Sequence, residues 1–476
     1  MSVPVISTAG MREWEAATWA TGQTEHEVIR RVGQCVARRA EEMAGPDEAI
    51  LILAGKGHNG DDAQAAAGFL TRREVKVLEL LSPETDLPPL ESALRERPAL
   101  IIDGLFGIGL NRLLAEPWQK IIAAVNATNI PVLAVDVPSG LNADTGKTFG
   151  AAIQAEVTLT VGGPKAGLLA TDAGPFVGRL EVTGDVGLVP CPIQGELVWT
   201  QAEDFRNFPP RRPAAGHKGT FGHVAVVAGS LGYHGAAVVT TRGAQRAQPG
   251  LATVFTQEYV YLAVAAQLQS AMVSSWRPDR EFPEKTSALV VGPGLAAPEA
   301  ADDLRQSVQR WWRDLDYPVV VDASALSFLK AGAIRKHYYR VLTPHPGEAA
   351  RLIKSTTQRV QANRVAALRE ISKNYGNCWV VLKGYQTLIG RAEGEIFVNP
   401  SGNPHLAQGG SGDLLSGFIG GLLAQPALQA DVAKTLRYAV WQHGAAADKL
   451  QAARANWTVE ELAETIGNIP IQRTET

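Results

Sequence analysis

Short runs of branched apolar residues alternate with stretches of helical periodicity along most of the chain, and this alternation restricts the fold more than any other feature. In the first half the runs are AILILA at 49–54, VKVLELL at 75–81, ALIID at 99–103, PVLAVDV at 131–137 and VTLTVGG at 157–163. A second series follows: HVAVVAGS at 223–230, ALVVGPG at 288–294, PVVVDAS at 318–324, RVLTPHPGE at 340–348 and CWVVLKG at 378–384. Strands alternating with helices argue for parallel sheets with helices on both faces. Helices are expected over 10–20, 25–43 and Asp62–Arg73, and again over 429–454 and 458–467. The Pro- and Arg-rich segment from Val189 to Lys218 reads as a linker. The expected organisation is therefore α/β: a Rossmann-like three-layer domain over 1–200, followed by a second α/β domain over 201–476.

Composition narrows the classes. The 476 residues are 45% apolar and 20% charged, as in an ordinary globular protein. A formal charge of −3 excludes a global basic field for nucleic acid. Residues 1–200 hold 16 basic against 25 acidic side chains, while residues 201–476 hold 29 against 23, so the two halves suit different ligands. Cys35, Cys191 and Cys378 are odd in number and far apart, which fits neither a disulfide framework nor a zinc site. No run approaches 18 apolar residues, and the first residues lack a basic segment followed by an apolar one. A cytoplasmic enzyme without membrane or nucleic-acid partners is expected, acting as a homo-oligomer on small molecules.

Several motifs carry chemistry. Gly55-Lys56-Gly57-His58-Asn59-Gly60-Asp61-Asp62 lies between a strand and a helix, where glycines let backbone N–H groups approach an anion. Two acids at the helix start would repel a bare phosphate, so a site combining substrate and cation fits better; a tight turn capped by acids would use the same residues. Asp103 and Asp136 each end a strand and lead into a glycine turn, at the strand ends where α/β sheets bind ligands. In the second half, Gly409-Gly410-Ser411-Gly412-Asp413 opens an apolar helix. Its amides form an anion hole for a transferring phosphoryl group, and an Asp at that point can take a proton from an attacking hydroxyl. A purely structural glycine-rich helix start is the alternative.

The first-half motifs resemble the NAD(P)H-hydrate epimerases. That resemblance implies a domain that interconverts the R and S epimers of hydrated NAD(P)H, called NAD(P)HX. It implies substrate contacts from His58, Asn59, Gly60, Asp61, Asp62, Gly107, Ile108, Gly109, Leu110, Asn111, Arg112, Leu113 and Lys165. Asp136 is the implied acid/base, and a potassium ion is implied on Asn59, Asp103 and Ser139, a hard oxygen set suited to an alkali cation. His58 and Asp61 stand where the family has Asn and Gly, and Arg30 where it has an acid. The Asp61 carboxylate is expected to oppose the substrate phosphates.

The second-half motifs, HKGTFGH, AGSLGYHGAA, VGPGL, LTPHPGEAARL, VLKG and GGSGD, resemble in that order the ADP-dependent NAD(P)H-hydrate dehydratases of the ribokinase-like superfamily. By residue, Ala236, Gly294, His345 and Asp413 match the family's contacts to hydrated nicotinamide. Lys383, Gly384, Tyr385, Gln386, Thr387 and Gly412 match its adenine-nucleotide contacts, with Asp413 as catalytic base and magnesium accompanying ADP. His345 between two prolines also fits a structural histidine. Ala296, Ser324 and PHLAQ at 404–408 depart from the family pattern. The alternative reading is a ribokinase-like kinase of a vitamin-type alcohol, with a non-catalytic first domain.

Overall fold

The structure, a computed structural model, describes residues 3–278, 280–295, 302–335 and 338–471; Ala296 lies outside them. The chain divides into two compact units, Ser2–Trp199 and Thr200–Thr476.

The first unit is built on β1 (Ile50–Ala54), β2 (Val75–Glu79), β3 (Leu100–Gly104), β4 (Val132–Val135), β5 (Val157–Val161) and β6 (Arg179–Thr183), in the order β2-β1-β3-β4-β5-β6. Every pairing is parallel. Side chains alternate across a strand, so Ile50 and Ile52 enter one core and Leu51 and Leu53 the other. The first core takes Met11 and Trp14 of α1 (Thr8–Trp19), Val28, Val32 and Val36 of α2 (Glu25–Met43), and Ala63 and Ala66 of α3 (His58–Ala67). The second takes α4 (Pro83–Arg95) and α5 (Glu116–Asn126). Three layers result because both faces of the sheet are apolar.

Helix α3 begins at His58 rather than at Asp62. Gly57, at φ +112°, makes the turn, and the glycine loop itself supplies the first helical turn. The turn is tight: a Cβ on Gly55 would lie 2.0 Å from the Leu105 carbonyl oxygen, and one on Gly60 2.0 Å from that of Gly55.

The second unit carries β7 (His223–Val227), β8 (Leu251–Thr256), β9 (Met272–Ser275), β10 (Ala288–Val291), β11 (Val319–Val321), β12 (Arg340–Leu342), β13 (Trp379–Leu382), β14 (Leu388–Gly390) and β15 (Ile396–Val398). Their order is β15-β14-β13-β12-β11-β10-β7-β8-β9, parallel from β13 to β9 and antiparallel at β13-β14-β15. Helix α6 (His234–Arg246) packs closely on α10 (Ser411–Leu423), whose glycines leave no room for side chains. A Cβ on Gly417 would lie 1.9 Å from the Thr240 carbonyl oxygen, and one on Gly421 2.3 Å from that of Ala244. This contact fixes the start of α10, and with it the GGSGD segment. The remaining helices used below are α7 (Asp302–Asp314), α8 (Pro346–Leu352), α9 (Arg364–Asn374) and α11 (Val432–Ala453).

The segment expected as a linker is more ordered than its composition suggests. Leu197–Trp199 forms a short strand with Val3–Pro4. Phe205 is fully buried against the rings of Tyr438 and Trp441, and Asp204 pairs with Arg437. Its aromatic residues bury apolar area that outweighs the turn-forming bias of the prolines.

Candidate functional site

In the first unit, a cavity of about 670 Å³ opens at the carboxyl ends of the strands. His58, Asn59, Asp62, Gly107, Ile108, Gly109, Leu110, Asn111, Arg112 and Asp136 line it. Asp136, held at φ +60°, directs Oδ1 at three donors: Thr160 Oγ1 and the Val161 amide at 2.9 Å, and Lys165 Nζ at 2.5 Å. The Lys165 ammonium is fully buried and also donates to Thr160 Oγ1 and the Val161 carbonyl. It therefore stands behind Asp136 rather than in the cavity wall.

Four other expected contacts lie off the wall. Gly60 is buried under the loop, and Leu113 is 70% exposed. Lys165 is the third. The fourth, Asp61, is exposed and outside the cavity, which corrects the expectation that its carboxylate stands beside the substrate. One helical step of about 100° separates it from Asp62, which does line the wall.

Asp103 and Ser139 are fully buried beneath the loop. Ser139 donates to Asp103 through its amide (2.8 Å) and hydroxyl (2.6 Å), and the Leu105 amide adds a third donor at 3.2 Å. Ser139 Oγ accepts from the Phe106 amide, and Asn59 Nδ2 donates to the Phe106 carbonyl, so the three residues converge on one turn. Burial raises the Asp103 carboxyl to about 6 despite these donors.

Helix α1 was expected from the sequence, but its part in the site was not. Met11, Arg12, Glu15 and Trp19 recur on one helical face and form a side of the same cavity. Burial and the nearby Asp136 raise the Glu15 carboxyl, and the same two causes, with Asp61, raise Asp62 well above its ordinary value.

In the second unit, Gly294, Asp322, His345 and Lys383 follow the carboxyl ends of the adjacent parallel strands β10, β11, β12 and β13. Ala236 meets Gly294: a Cβ on that glycine, at φ +67°, would lie 2.7 Å from the Ala236 Cβ. Lys383 Nζ donates to Asp322 Oδ1 at 2.9 Å, and a Cβ on Gly412 would come within 3.1 Å of the same nitrogen. The ammonium therefore sits against the first turn of α10, beside Asp413. Burial, with Asp322 and Glu348, raises the Asp413 carboxyl to about 7, while Lys383 pulls the other way. Burial opposes the Lys383 charge, yet Asp322, Glu348 and Asp413 outweigh it and hold that pKa above its usual value.

His345 caps α8. Its Nδ1 accepts from the amides of Gly347 (3.0 Å) and Glu348 (3.4 Å), and the His345 amide in turn donates to the Glu348 carboxylate. Burial lowers its pKa, Glu348 partly compensates and Lys383 adds to the lowering. Nδ1 is thus an acceptor, and the proton of the neutral ring resides on Nε2.

Gly384, Tyr385, Gln386 and Thr387 form the loop after β13, with Gly384 and Gln386 at positive φ. The buried Arg364 of α9 donates to the carbonyls of Leu382, Tyr385 and Gln386 and holds that loop. Beneath GGSGD, His443 of α11 meets the Ser411 carbonyl at 3.1 Å; burial lowers its pKa to about 4, so the ring is a neutral donor. Neither Arg364 nor His443 belongs to a motif. Asp322 and Glu348 were legible inside PVVVDAS and TPHPGE.

The residues present fit the groups implied by resemblance. Asp103 is a buried carboxylate with hydrogen-bond donors but, among the described residues, no cationic side chain beside it, and Asn59 Oδ1 and Ser139 Oγ add neutral oxygens, a set suited to a monovalent cation. Around Lys383, three carboxylates face one ammonium, an acidic excess that suits a divalent cation arriving with a nucleotide. No helix among the described residues is long and apolar enough to cross a membrane.

Known proteins match both units. Residues 224–468 match the NAD(P)H-hydrate dehydratase family, and residues 25–94 and 80–167 match the YjeF-related protein N-terminus. A bifunctional NAD(P)H-hydrate repair enzyme Nnr of Gloeobacter violaceus is 34% identical over 522 residues, covering 98% of this chain and 97% of its own. That of Escherichia coli is 33% identical over 466 residues, covering 92% and 88%. The crystal structure of ADP/ATP-dependent NAD(P)H-hydrate dehydratase from Bacillus subtilis, co-crystallised with ATP/Mg2+, has a TM-score of 0.51 at 32% identity, over 56% of this chain and 95% of its own. A ribokinase-like superfamily protein from Enterococcus faecalis, 24% identical with a TM-score of 0.51, shares the fold of the second unit. With relatives matched end to end, the chain belongs to the family of bifunctional NAD(P)H-hydrate repair enzymes.

Proposed function

We propose that the first unit interconverts the R and S epimers of NAD(P)HX, and that the second dehydrates S-NAD(P)HX to NAD(P)H at the expense of ADP. The observation that carries the second activity is Asp413, whose carboxyl is raised to about 7 at the start of α10 beside Lys383. A base near neutrality is matched to a hydroxyl proton. The hydroxyl on C6 of the hydrated ring is a poor leaving group, so it first attacks the terminal phosphoryl of ADP. Asp413 accepts its proton and AMP departs. Lys383 and the amides of 409–412 face the transferring group. Magnesium, when bound, supplies charge neutralisation between the phosphates and the acidic cluster. The ring nitrogen lone pair then expels phosphate, and loss of a C5 proton from the resulting C=N⁺ ring forms the C5=C6 bond and restores the dihydropyridine.

In the first unit, Asp136 lies at the cavity as an anion anchored by Lys165, beside the position where positive charge develops on the ring. Potassium would be held by Asn59, Asp103 and Ser139, fixing the turn that carries Gly107–Arg112. An alcohol kinase with a non-catalytic first unit is disfavoured, because the curated relatives match both units. The test is incubation of the chain with R-NADHX, without and with ADP. Conversion to S-NADHX without ADP and recovery of NADH absorbance with it are expected. NADH formation that does not depend on a nucleotide would overturn the reading.

A further inference from the structure

The first-unit cavity contains a carboxyl that belongs to no motif. Glu15 lies on α1, on the face that also brings Met11, Arg12 and Trp19 to the wall, and it shares the cavity with Asp136 and Asp62. The charged groups around it come from every side: Arg12 on its own helix, Glu25 on α2, His58 and Asp62 on α3, Lys56 in the glycine loop, and the Asp136–Lys165 pair at the sheet. His58 is turned away from this role, because its Nε2 meets Glu25 Oε1 at 2.8 Å.

We infer that Glu15 is a catalytic acid/base of the epimerisation, moving the proton of the ring hydroxyl while Asp136 stabilises the cation. This rests on the epimerase reading of the first unit and names a proton carrier within it. The chemistry calls for two different carboxyls. C6 of the hydrated ring bears both a hydroxyl and the ring nitrogen. Inverting it requires the C–O bond to break and to form again on the opposite face. A proton passes from Glu15 to the hydroxyl, the C–O bond breaks to release water, and the nitrogen lone pair forms a C=N⁺ bond. Water then adds to the other face and returns a proton to Glu15, so atoms and charge balance without any further reactant.

Asp136 is poorly placed to donate, because its Oδ1 already accepts from three groups, one of them a buried ammonium. It is well placed as a fixed anion against the C=N⁺ ring. Glu15 has the complementary environment. Burial and the Asp136 charge both favour its protonated form, and no hydrogen bond from a protein donor competes for it among the described residues. One carboxyl held by three donors and a second that none of the described residues donates to are the pattern of a stabilising anion paired with an acid.

The experiment follows R-to-S interconversion of NADHX by the full chain without ADP, over pH 5–9, after subtraction of the enzyme-free rate. Glu15→Gln is compared with wild type and Glu15→Asp. Wild-type kcat should fall as pH rises, since the protonated acid is the active form. Glu15→Gln should lower kcat by ~10²-fold with KM changed less than about threefold, and should lose that alkaline decline. Glu15→Asp should recover the decline and part of the rate, which separates proton transfer from packing. Wild-type kcat in Glu15→Gln, a loss confined to KM, or an alkaline decline that persists in it overturns the assignment while leaving the epimerase reading intact. A wild-type chain with no interconversion overturns both.

Discussion

Lys383 Nζ lies 2.9 Å from Asp322 Oδ1, and this pair links the ends of β11 and β13 across the intervening parallel strand β12, at the first turn of α10. Asp322 is one of the charges that raise Asp413. Asp322→Asn removes that charge and leaves Lys383 shared between Glu348 and Asp413 only. The pH at which dehydration reaches half its maximal rate should therefore move down by about one unit. A pH–rate profile with S-NADHX and ADP measures it.

Asp413→Asn should lower ADP-dependent NADH formation by ~10²–10⁴-fold while the protein stays folded. In wild type the active form is the carboxylate, so the rate should climb as pH rises through about 7 and level off above it. The variant's residual rate should show no such climb.

Asp103 makes a pH-dependent contribution to stability. Its folded pKa, about 6, lies above the unfolded value, so the folded state binds the proton more tightly. Stability is fully present below the unfolded pKa and declines as pH rises to about 6, by ~3 kcal/mol in all. Potassium held there, as proposed, would offset the buried charge. Melting temperature should thus rise more on replacing choline with potassium at pH 8 than at pH 5, and Asp103→Asn should abolish the difference.

Arg364→Met strips three loop carbonyls of a shared donor. Each carbonyl left unpaired costs ~1–3 kcal/mol when buried. The loop should loosen, raising KM for ADP at least tenfold with a smaller effect on kcat, as steady-state assays at varied ADP would show.

The central strands were legible because most of their apolar runs stop at a charged or glycine residue, as at Asp103, Asp136 and Lys383, whereas β8, β9, β14 and β15 were not among the expected runs. Such punctuation marks strand ends, and parallel sheets gather strand ends along one edge. Glu15 left no such mark: it sits within an amphipathic helix, where an acid facing a cavity and an acid facing solvent look alike. Asp61 and Asp62 were indistinguishable for the same reason, since only the helical phase decides which one reaches the wall. Arg364 and His443 act on partners 18 and 32 positions away in the sequence, on backbone carbonyls that any residue could supply. Nothing in a sequence flags a carbonyl as a target.

The cap on α8 has a consequence for what can lie beside it. Because two amides occupy Nδ1, His345 presents only an N–H outward, and it cannot reverse that polarity without uncapping its own helix. A neighbour must therefore offer a lone pair: the oxygen of a carboxamide is welcome there, and its NH2 group is not. The helix start thus sorts the two ends of an amide, and a flat ring bearing one can enter in a single orientation.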